Sequence, residues 1–163
     1  MICPLKPIDY QAAIHIVNEN WKTVYQDYVS PLLLSEEGCC KRTEELLQDF
    51  ETQRLSEYVW KENGHVLALL SFGDTVDEDA SGAFEIWHIY VDSAAQGHGI
   101  GRQLLLFAEE QARQQGYRES IIWAFKGNTK ATAFYLKNGY QPDKEEFLPS
   151  PYFADAIRFR KKL

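Results

Sequence analysis

The strongest constraint on the fold of this 163-residue chain is a glycine-rich turn, Gln96–Gly101, between two segments of different periodicity. Residues 83–91 are apolar on both faces of an extended segment and predict a central strand. Residues 99–115 carry apolar side chains at helical spacing, with a glycine just beyond them as a stop. Because residues 119–125 read as another buried strand, this order predicts a strand–helix–strand unit with a right-handed parallel crossover.

The other segments predict more elements of the same kind. An Asn63-Gly64 pair between two apolar runs is typical of a tight hairpin. Pro31 interrupts a helical pattern that starts near residue 8. We expect one α/β domain over residues 1–163, with strands at 2–6, 57–61 and 65–72, helices within 8–29, 35–55 and 128–138, and a final hairpin at 140–160.

Composition limits the partners of the chain. Its 24 acidic and 17 basic residues leave a net charge of −7, which argues against a nucleic-acid-binding surface. No stretch approaches the ~18 apolar residues of a membrane span, and residues 1–6 lack the apolar run of a secretory signal. We therefore expect a cytoplasmic protein without nucleic-acid or membrane partners.

Cysteine and histidine spacing predicts neither a disulfide nor a metal site. Cys39 and Cys40 are adjacent and Cys3 is remote, so no CxxC pair exists. The four histidines are scattered, without the spacing of zinc ligands. We expect incidental thiols and no bound metal.

Two charged segments are interpreted structurally. The acidic loop 73–82 is expected to be a solvated connector, with attraction of a cationic substrate as the alternative. The basic residues within 158–162 are expected to form a solvated chain end.

The glycine-rich turn predicts a site for an anionic diphosphate. Amides in the first turn of a helix have no intrahelical partner, and the helix dipole adds positive potential there. A Walker A loop is excluded because Arg102 and Gln103 follow Gly101, where that motif requires Lys and Ser or Thr. A dinucleotide-binding turn fits poorly, since the glycine spacing differs and Glu119 precedes its strand.

The pattern Gln-x-x-Gly-x-Gly at residues 96–101 resembles the pyrophosphate loop of the GNAT superfamily, the Gcn5-related N-acetyltransferases. The resemblance extends over roughly residues 84–141. It includes Ile89-Tyr90-Val91-Asp92 before the loop, and Asn128, Phe134-Tyr135 and Asn138-Gly139-Tyr140 after it. It implies a single GNAT-like domain whose central sheet is mixed, mostly antiparallel and twisted, with flanking helices.

The resemblance also implies acetyl-CoA as cosubstrate. Its pantetheine arm would pair with the backbone of Ile89 and Val91, much as an added strand does. Asn128 would contact the cofactor, although capping of the following helix is a sufficient structural role for it. The backbone of one continuous segment would surround the diphosphate: Gln96, Gly97, His98, Gly99, Ile100, Gly101 and Arg102, with the Arg102 side chain as an additional charge or a solvent-facing group.

Catalysis would need two proton-transfer groups. The resemblance implies that Tyr135 acts on the departing CoA thiolate, since a phenol can donate a proton or a hydrogen bond to the sulfur. Glu85 is the leading candidate for the base that receives the amine proton, and His88 is its competitor. Strand alternation predicts that Glu85 and His88 lie on opposite faces of their strand.

The expected function is transfer of an acetyl group to a primary amine by direct attack, without an acyl-enzyme. The acceptor is a small-molecule or peptide amine, and the sequence leaves its identity open. A noncatalytic acyl-CoA sensor and a protein N-terminal or lysine acetyltransferase remain alternatives. A homodimer is compatible with the resemblance.

Overall fold

The computed structural model describes all residues from 1 to 163, and its seven strands form one sheet. The strands are β1 Ile2–Pro4, β2 Ser56–Glu62, β3 His65–Asp74, β4 Phe84–Val91, β5 Glu119–Phe125, β6 Gln141–Leu148 and β7 Ala154–Lys162. The helices are α1 Tyr10–Val24, α2 Pro31–Leu34, α3 Glu36–Thr52, α4 Ile100–Gln114 and α5 Thr129–Lys137. No helix has both the length and the apolar character needed to span a membrane.

The sheet is mixed, as expected. Its strand order is β1-β2-β3-β4-β5-β7-β6, and only β4 and β5 are parallel. The chain passes from β4 to β5 through α4, so the predicted strand–helix–strand unit lies in the middle of the sheet. Every other neighbouring pair is antiparallel.

Apolar side chains cover both faces of the sheet. On one face, Leu104 and Leu105 of α4 pack against Phe72 and Ile86. On the other face, Val17 of α1 and Phe50 of α3 belong to the same cluster as Leu69 of β3. Burial on both faces explains why the central strands lack polar alternation in the sequence.

A β-bulge at Trp87 changes the direction of the side chains along β4. Ser71 pairs with His88, whereas the next residue of β3, Phe72, pairs with Ile86, which leaves Trp87 as the extra residue. An extra residue reverses the alternation beyond it. Glu85 and His88 therefore lie on the same face of the sheet, and the prediction of opposite faces is wrong.

Strands β4 and β5 separate soon after they begin. Their parallel pairing comprises only Phe84 with Ser120 and Glu85 with Ile121. Beyond these pairs a cleft opens between the strands, and the backbone edge of β4 beyond Glu85 has no neighbouring strand on that side.

Arg158 corrects both expectations about the charged segments. Its side chain is 3% exposed and forms ion pairs with Asp77 at 3.0 Å, Asp79 at 2.7 Å and Asp143 at 2.9 Å. A buried guanidinium needs such partners because an unpaired buried charge is costly. The acidic loop is thus bound to the last strand, and the start of the basic segment is buried.

We expect Arg158→Met to lower the free energy of unfolding by about 3 kcal/mol, near the lower end for a broken buried ion pair, because the carboxylates remain partly exposed. Lys126→Met is the matched control. It removes a solvent-exposed pair with Glu145 and should cost below about 1 kcal/mol. Urea denaturation measures both changes, and equal losses would contradict a structural role for the buried cluster.

Candidate functional site

The glycine-rich turn presents a row of unpaired backbone donors. None of the seven consecutive N–H groups from Gln96 to Arg102 donates to an acceptor within the protein. Gly97 and Gly99 have φ angles of 81° and 83°, a left-handed conformation that glycine adopts without strain. The first amide of α4 with a partner is Gln103, which donates to the Gly99 carbonyl at 3.1 Å. The turn and the helix start therefore form a positively polarised surface suited to an anion.

Two side-chain amides bind the end of β4, one from this turn and one from α1. The Val91 carbonyl accepts hydrogen bonds from Gln96 Nε2 and Asn20 Nδ2, both at 3.1 Å. The Asp92 N–H donates a hydrogen bond to the Leu67 carbonyl of β3 at 2.8 Å. By alternation, Ile89 and Val91 direct their backbone groups towards the cleft. Since the Val91 carbonyl has two donors already, its N–H and the backbone groups of Ile89 remain for a ligand.

These anchoring roles were not predicted from the sequence. Gln96 was expected to contribute only through the backbone, and Asn20 was not considered at all. Asn20 is buried on the apolar side of α1, where its side chain also donates to the Ile16 carbonyl at 2.9 Å. An asparagine within an apolar helical stripe is the sequence signal that could have identified it.

A groove of about 1400 Å³ runs from the turn into the cleft between β4 and β5. All but one of the predicted cofactor residues line it: Ile89, Val91, Gln96, Gly97, Gly99, Ile100, Gly101, Arg102, Asn128 and Tyr135. His98 is the exception. Its exposed ring lies outside the groove, with Nδ1 at 3.4 Å from the Ala95 carbonyl.

Three cations along the groove have no acidic partner. Arg102, Lys130 and Lys137 line it, and none forms an ion pair within the protein. The two lysines were missed, although their spacing of two helical turns puts them on one face of α5. The groove is therefore locally basic within a chain of net charge −7.

A smaller cavity of about 170 Å³, the inner cavity, adjoins the groove. Six residues line both spaces, so the two meet along this side: Tyr25, Ile89, Tyr90, Asn128, Ala131 and Tyr135. Three aromatic residues line the inner cavity but not the groove, namely Trp87, Trp123 and Phe125, and we call them its far wall. Sequence reasoning missed this far wall.

Tyr135 is a buried phenol at the junction of the two spaces. Its hydroxyl forms no hydrogen bond within the protein, and burial raises its pKa above the ordinary value. It therefore stays protonated at neutral pH and is free to donate a hydrogen bond. Asn128, close by, caps α5 by accepting from the Ala131 N–H at 3.1 Å, and it lines the groove as well.

Glu85 is buried at the closed end of the cleft, where β4 and β5 still pair. Burial raises its pKa to about 7, and its Oε2 has no hydrogen-bond partner. It does not line the groove or the inner cavity, but it lies on the same face of β4 as His88, which does line the inner cavity.

His88 belongs to a polar row across three adjacent strands. Its Nδ1 lies 3.1 Å from the Ser71 hydroxyl, which donates to the Glu57 carboxylate. Burial lowers the pKa of His88 to about 4, so the ring is neutral at pH 7. Burial raises the pKa of Glu57 to about 7, and the Glu57 Oε1 has no partner.

Comparison with known proteins identifies the family. Residues 21–140 match the acetyltransferase (GNAT) family, so the chain belongs to it. The chain is 25% identical over 148 residues to the probable N-acetyltransferase Rv2775 of Mycobacterium tuberculosis, a match that covers 90% of this chain and 82% of the relative.

Two further comparisons differ in extent. A mycothiol acetyltransferase of Jonesia denitrificans is 37% identical over 65 residues, which is 40% of this chain but only 21% of that protein. The structure of yncA, a putative acetyltransferase from Salmonella typhimurium with its cofactor acetyl-CoA, has the same fold. Its TM-score is 0.76 at 21% identity, over 100% of this chain and 93% of the other.

Glu57 makes stability dependent on pH. Because its pKa rises from 4.5 to about 7 on folding, the folded protein retains a proton in this interval that the unfolded chain has released. The free energy of unfolding should therefore fall as pH rises from 4.5 to about 7. Glu57→Gln should reduce this fall. Glu85 contributes a further fall, and His88, whose pKa is lowered to about 4, contributes an opposing rise.

Urea denaturation across the interval measures the effect. Glu146→Gln, a change at an exposed site on β6, is the control and should leave the pH dependence as it is in the wild type. A fall that is equally steep in Glu57→Gln and in the wild type would contradict the assignment.

Proposed function

We propose that this protein is an acetyl-CoA-dependent N-acetyltransferase that acts on a primary amine. The observation that carries the proposal is the row of seven unpaired amides, Gln96–Arg102, at the mouth of the cleft between β4 and β5. A diphosphate supplies the acceptors that these donors lack. Membership in the acetyltransferase family supports the same cosubstrate.

The cosubstrate would extend along the groove. Arg102, Lys130 and Lys137 would face its phosphate groups, since these cations are free of acidic partners. The pantetheine arm would lie in the cleft as a short added strand against Ile89 and the N–H of Val91. Its thioester would then reach Tyr135, where the groove meets the inner cavity.

The reaction is a direct acyl transfer. The neutral amine nitrogen forms a bond to the thioester carbonyl carbon, and the carbon–sulfur bond breaks. The thiolate takes up one proton, and the nitrogen loses one. A backbone N–H at Ile89 would stabilise the charge that develops on the carbonyl oxygen. We assign no nucleophilic role to the cysteines, none of which lines either space.

Tyr135 would assist the leaving thiolate. Its hydroxyl has no competing partner within the protein, and its raised pKa keeps it protonated. A hydrogen bond from the phenol stabilises the sulfur as the carbon–sulfur bond breaks, and the phenol proton is available to it.

Glu85 would receive the amine proton through a water molecule. Its pKa of about 7 suits a base at neutral pH, whereas His88, with a pKa of about 4, is a much weaker base. Its unpartnered Oε2 and its position on the face of His88 support this role. Glu85 lies outside both spaces, which is why the transfer needs an intervening water.

Calorimetric titration with CoA and a thiol-release assay with an amine panel test the function. We expect the protein to bind CoA and to release thiol with at least one amine. Tyr135→Phe should keep the affinity for CoA while kcat falls about 10²- to 10⁴-fold. Absence of CoA binding by the folded protein would refute the proposal, and CoA binding without any turnover would favour a sensor.

The pH–rate profile tests Glu85. In the wild type, kcat/KM should rise with pH through about 7 as Glu85 loses its proton. Glu85→Gln should remove this rise and lower kcat/KM about 10²- to 10⁴-fold. Glu57→Gln is the matched control, because Glu57 has a similarly raised pKa but should leave the rise in place. An inflection near pH 7 that persists in Glu85→Gln would exclude Glu85 as the base, whereas the further rise at higher pH that deprotonation of the free amine causes is expected in every variant.

A further inference from the structure

The inner cavity is where an acceptor would meet the thioester. It shares Tyr135 and Ile89 with the groove, and Trp87, Trp123 and Leu148 are among the lining residues that it does not share. An amine that enters it would have its nitrogen near Tyr135 and its remaining atoms among these side chains. The chemistry of the far wall therefore bears on the identity of the acceptor.

No charged side chain lines the inner cavity. Its lining contains no Asp, Glu, Lys or Arg, and 12 of its 14 residues are hydrophobic. The two carboxylates nearest to it are committed elsewhere: Asp77 accepts from the Trp123 indole at 2.9 Å and from Arg158 at 3.0 Å, and Glu85, which lies outside the inner cavity, takes up the proton of the reacting amine in the proposed reaction. A second ammonium group on the acceptor would have no counter-charge here, and burial of an unpaired charge is strongly unfavourable.

Both indoles of the far wall already have a cation nearby. The Arg54 guanidinium lies 4.7 Å from the Trp87 ring centre, and the Arg158 guanidinium lies 5.8 Å from that of Trp123. Their positive charges oppose a further cation in the same place, while an uncharged ring can still pack against the indoles.

The volume of the cavity matches a single ring. A buried apolar cavity of about 150 Å³ is enough to bind benzene. The inner cavity, at about 170 Å³, can take one aromatic ring with a short linker, and its aromatic wall offers edge and face contacts.

We propose that the acceptor is a small monoamine with an aromatic body, bound with its ring against Trp87, Trp123 and Phe125 and its nitrogen at Tyr135. This proposal rests on the proposed acetyl transfer and assigns its substrate class. It excludes polyamines and aminoglycosides, whose additional ammonium groups the inner cavity cannot neutralise.

The test compares 2-phenylethylamine, ethylamine and spermidine at saturating acetyl-CoA. Because ring burial contributes to binding, kcat/KM for 2-phenylethylamine should exceed that for ethylamine roughly 10- to 100-fold. Spermidine should be the poorest of the three. A higher kcat/KM for spermidine, or for a peptide with a free α-amino group, would overturn the assignment while leaving the acetyltransferase function intact.

Leu148 supplies a charge-introduction test with a matched control. Leu148→Glu places a carboxylate on the wall and should raise kcat/KM for spermidine relative to 2-phenylethylamine about tenfold or more. Phe147→Glu makes the same change at the adjacent residue, which is 59% exposed, lies outside the inner cavity and should not alter the preference. An equal shift in both variants would overturn the proposal.

Direct binding separates failure of this proposal from failure of the proposed function. Calorimetry with 2-phenylethylamine and the CoA-loaded wild-type protein detects binding without turnover. Binding that Trp123→Ala weakens supports the aromatic subsite even if no transfer occurs. Absence of binding overturns it. If CoA itself does not bind, the proposed function fails. Titration of the CoA-free protein with 2-phenylethylamine then tests whether the inner cavity binds an aromatic amine.

Discussion

The separation of β4 from β5 is the constraint on which the rest of the site depends. Two residue pairs hold the strands together, and beyond Glu85 the edge of β4 has no neighbouring strand. A strand edge inside a domain must have its polar groups satisfied. Asn20 and Gln96 satisfy the Val91 carbonyl, and the remaining groups face a groove into which an extended ligand fits as an added strand. The bulge at Trp87 lies next to this cleft and puts Glu85 and His88 on the same face of β4.

Charge is distributed locally rather than globally in this protein. The net charge of −7 would repel an anionic cosubstrate, yet the groove carries Arg102, Lys130 and Lys137 without acidic partners. Elsewhere, the buried cation Arg158 is paired with three acidic groups, two of them in the acidic loop. No carboxylate lines the inner cavity.

Much of the fold and part of the site could be predicted from local patterns. The strand at 83–91, the helix that follows the turn and the hairpin at Asn63-Gly64 all depend on periodicity or turn chemistry within a few residues. The groove residues followed from the family resemblance over roughly residues 84–141, and all except His98 line the groove. The bulge could not be predicted, since it depends on the pairing of β4 with β3. The far wall was missed for a similar reason, because Trp87 and Trp123 lie on different strands.

The sequence by itself determined the element order, the central strand–helix–strand unit and the turn with its free amides, because each depends on the spacing of neighbouring residues along the chain. The mixed sheet was implied by the family resemblance. Only the tertiary structure decided that Glu85 and His88 share a face, that Arg158 is buried among three aspartates, and that aromatic side chains from different strands line the inner cavity. These features arise from contacts between residues far apart in the chain. Their formation depends on strand register and burial, which no local pattern encodes.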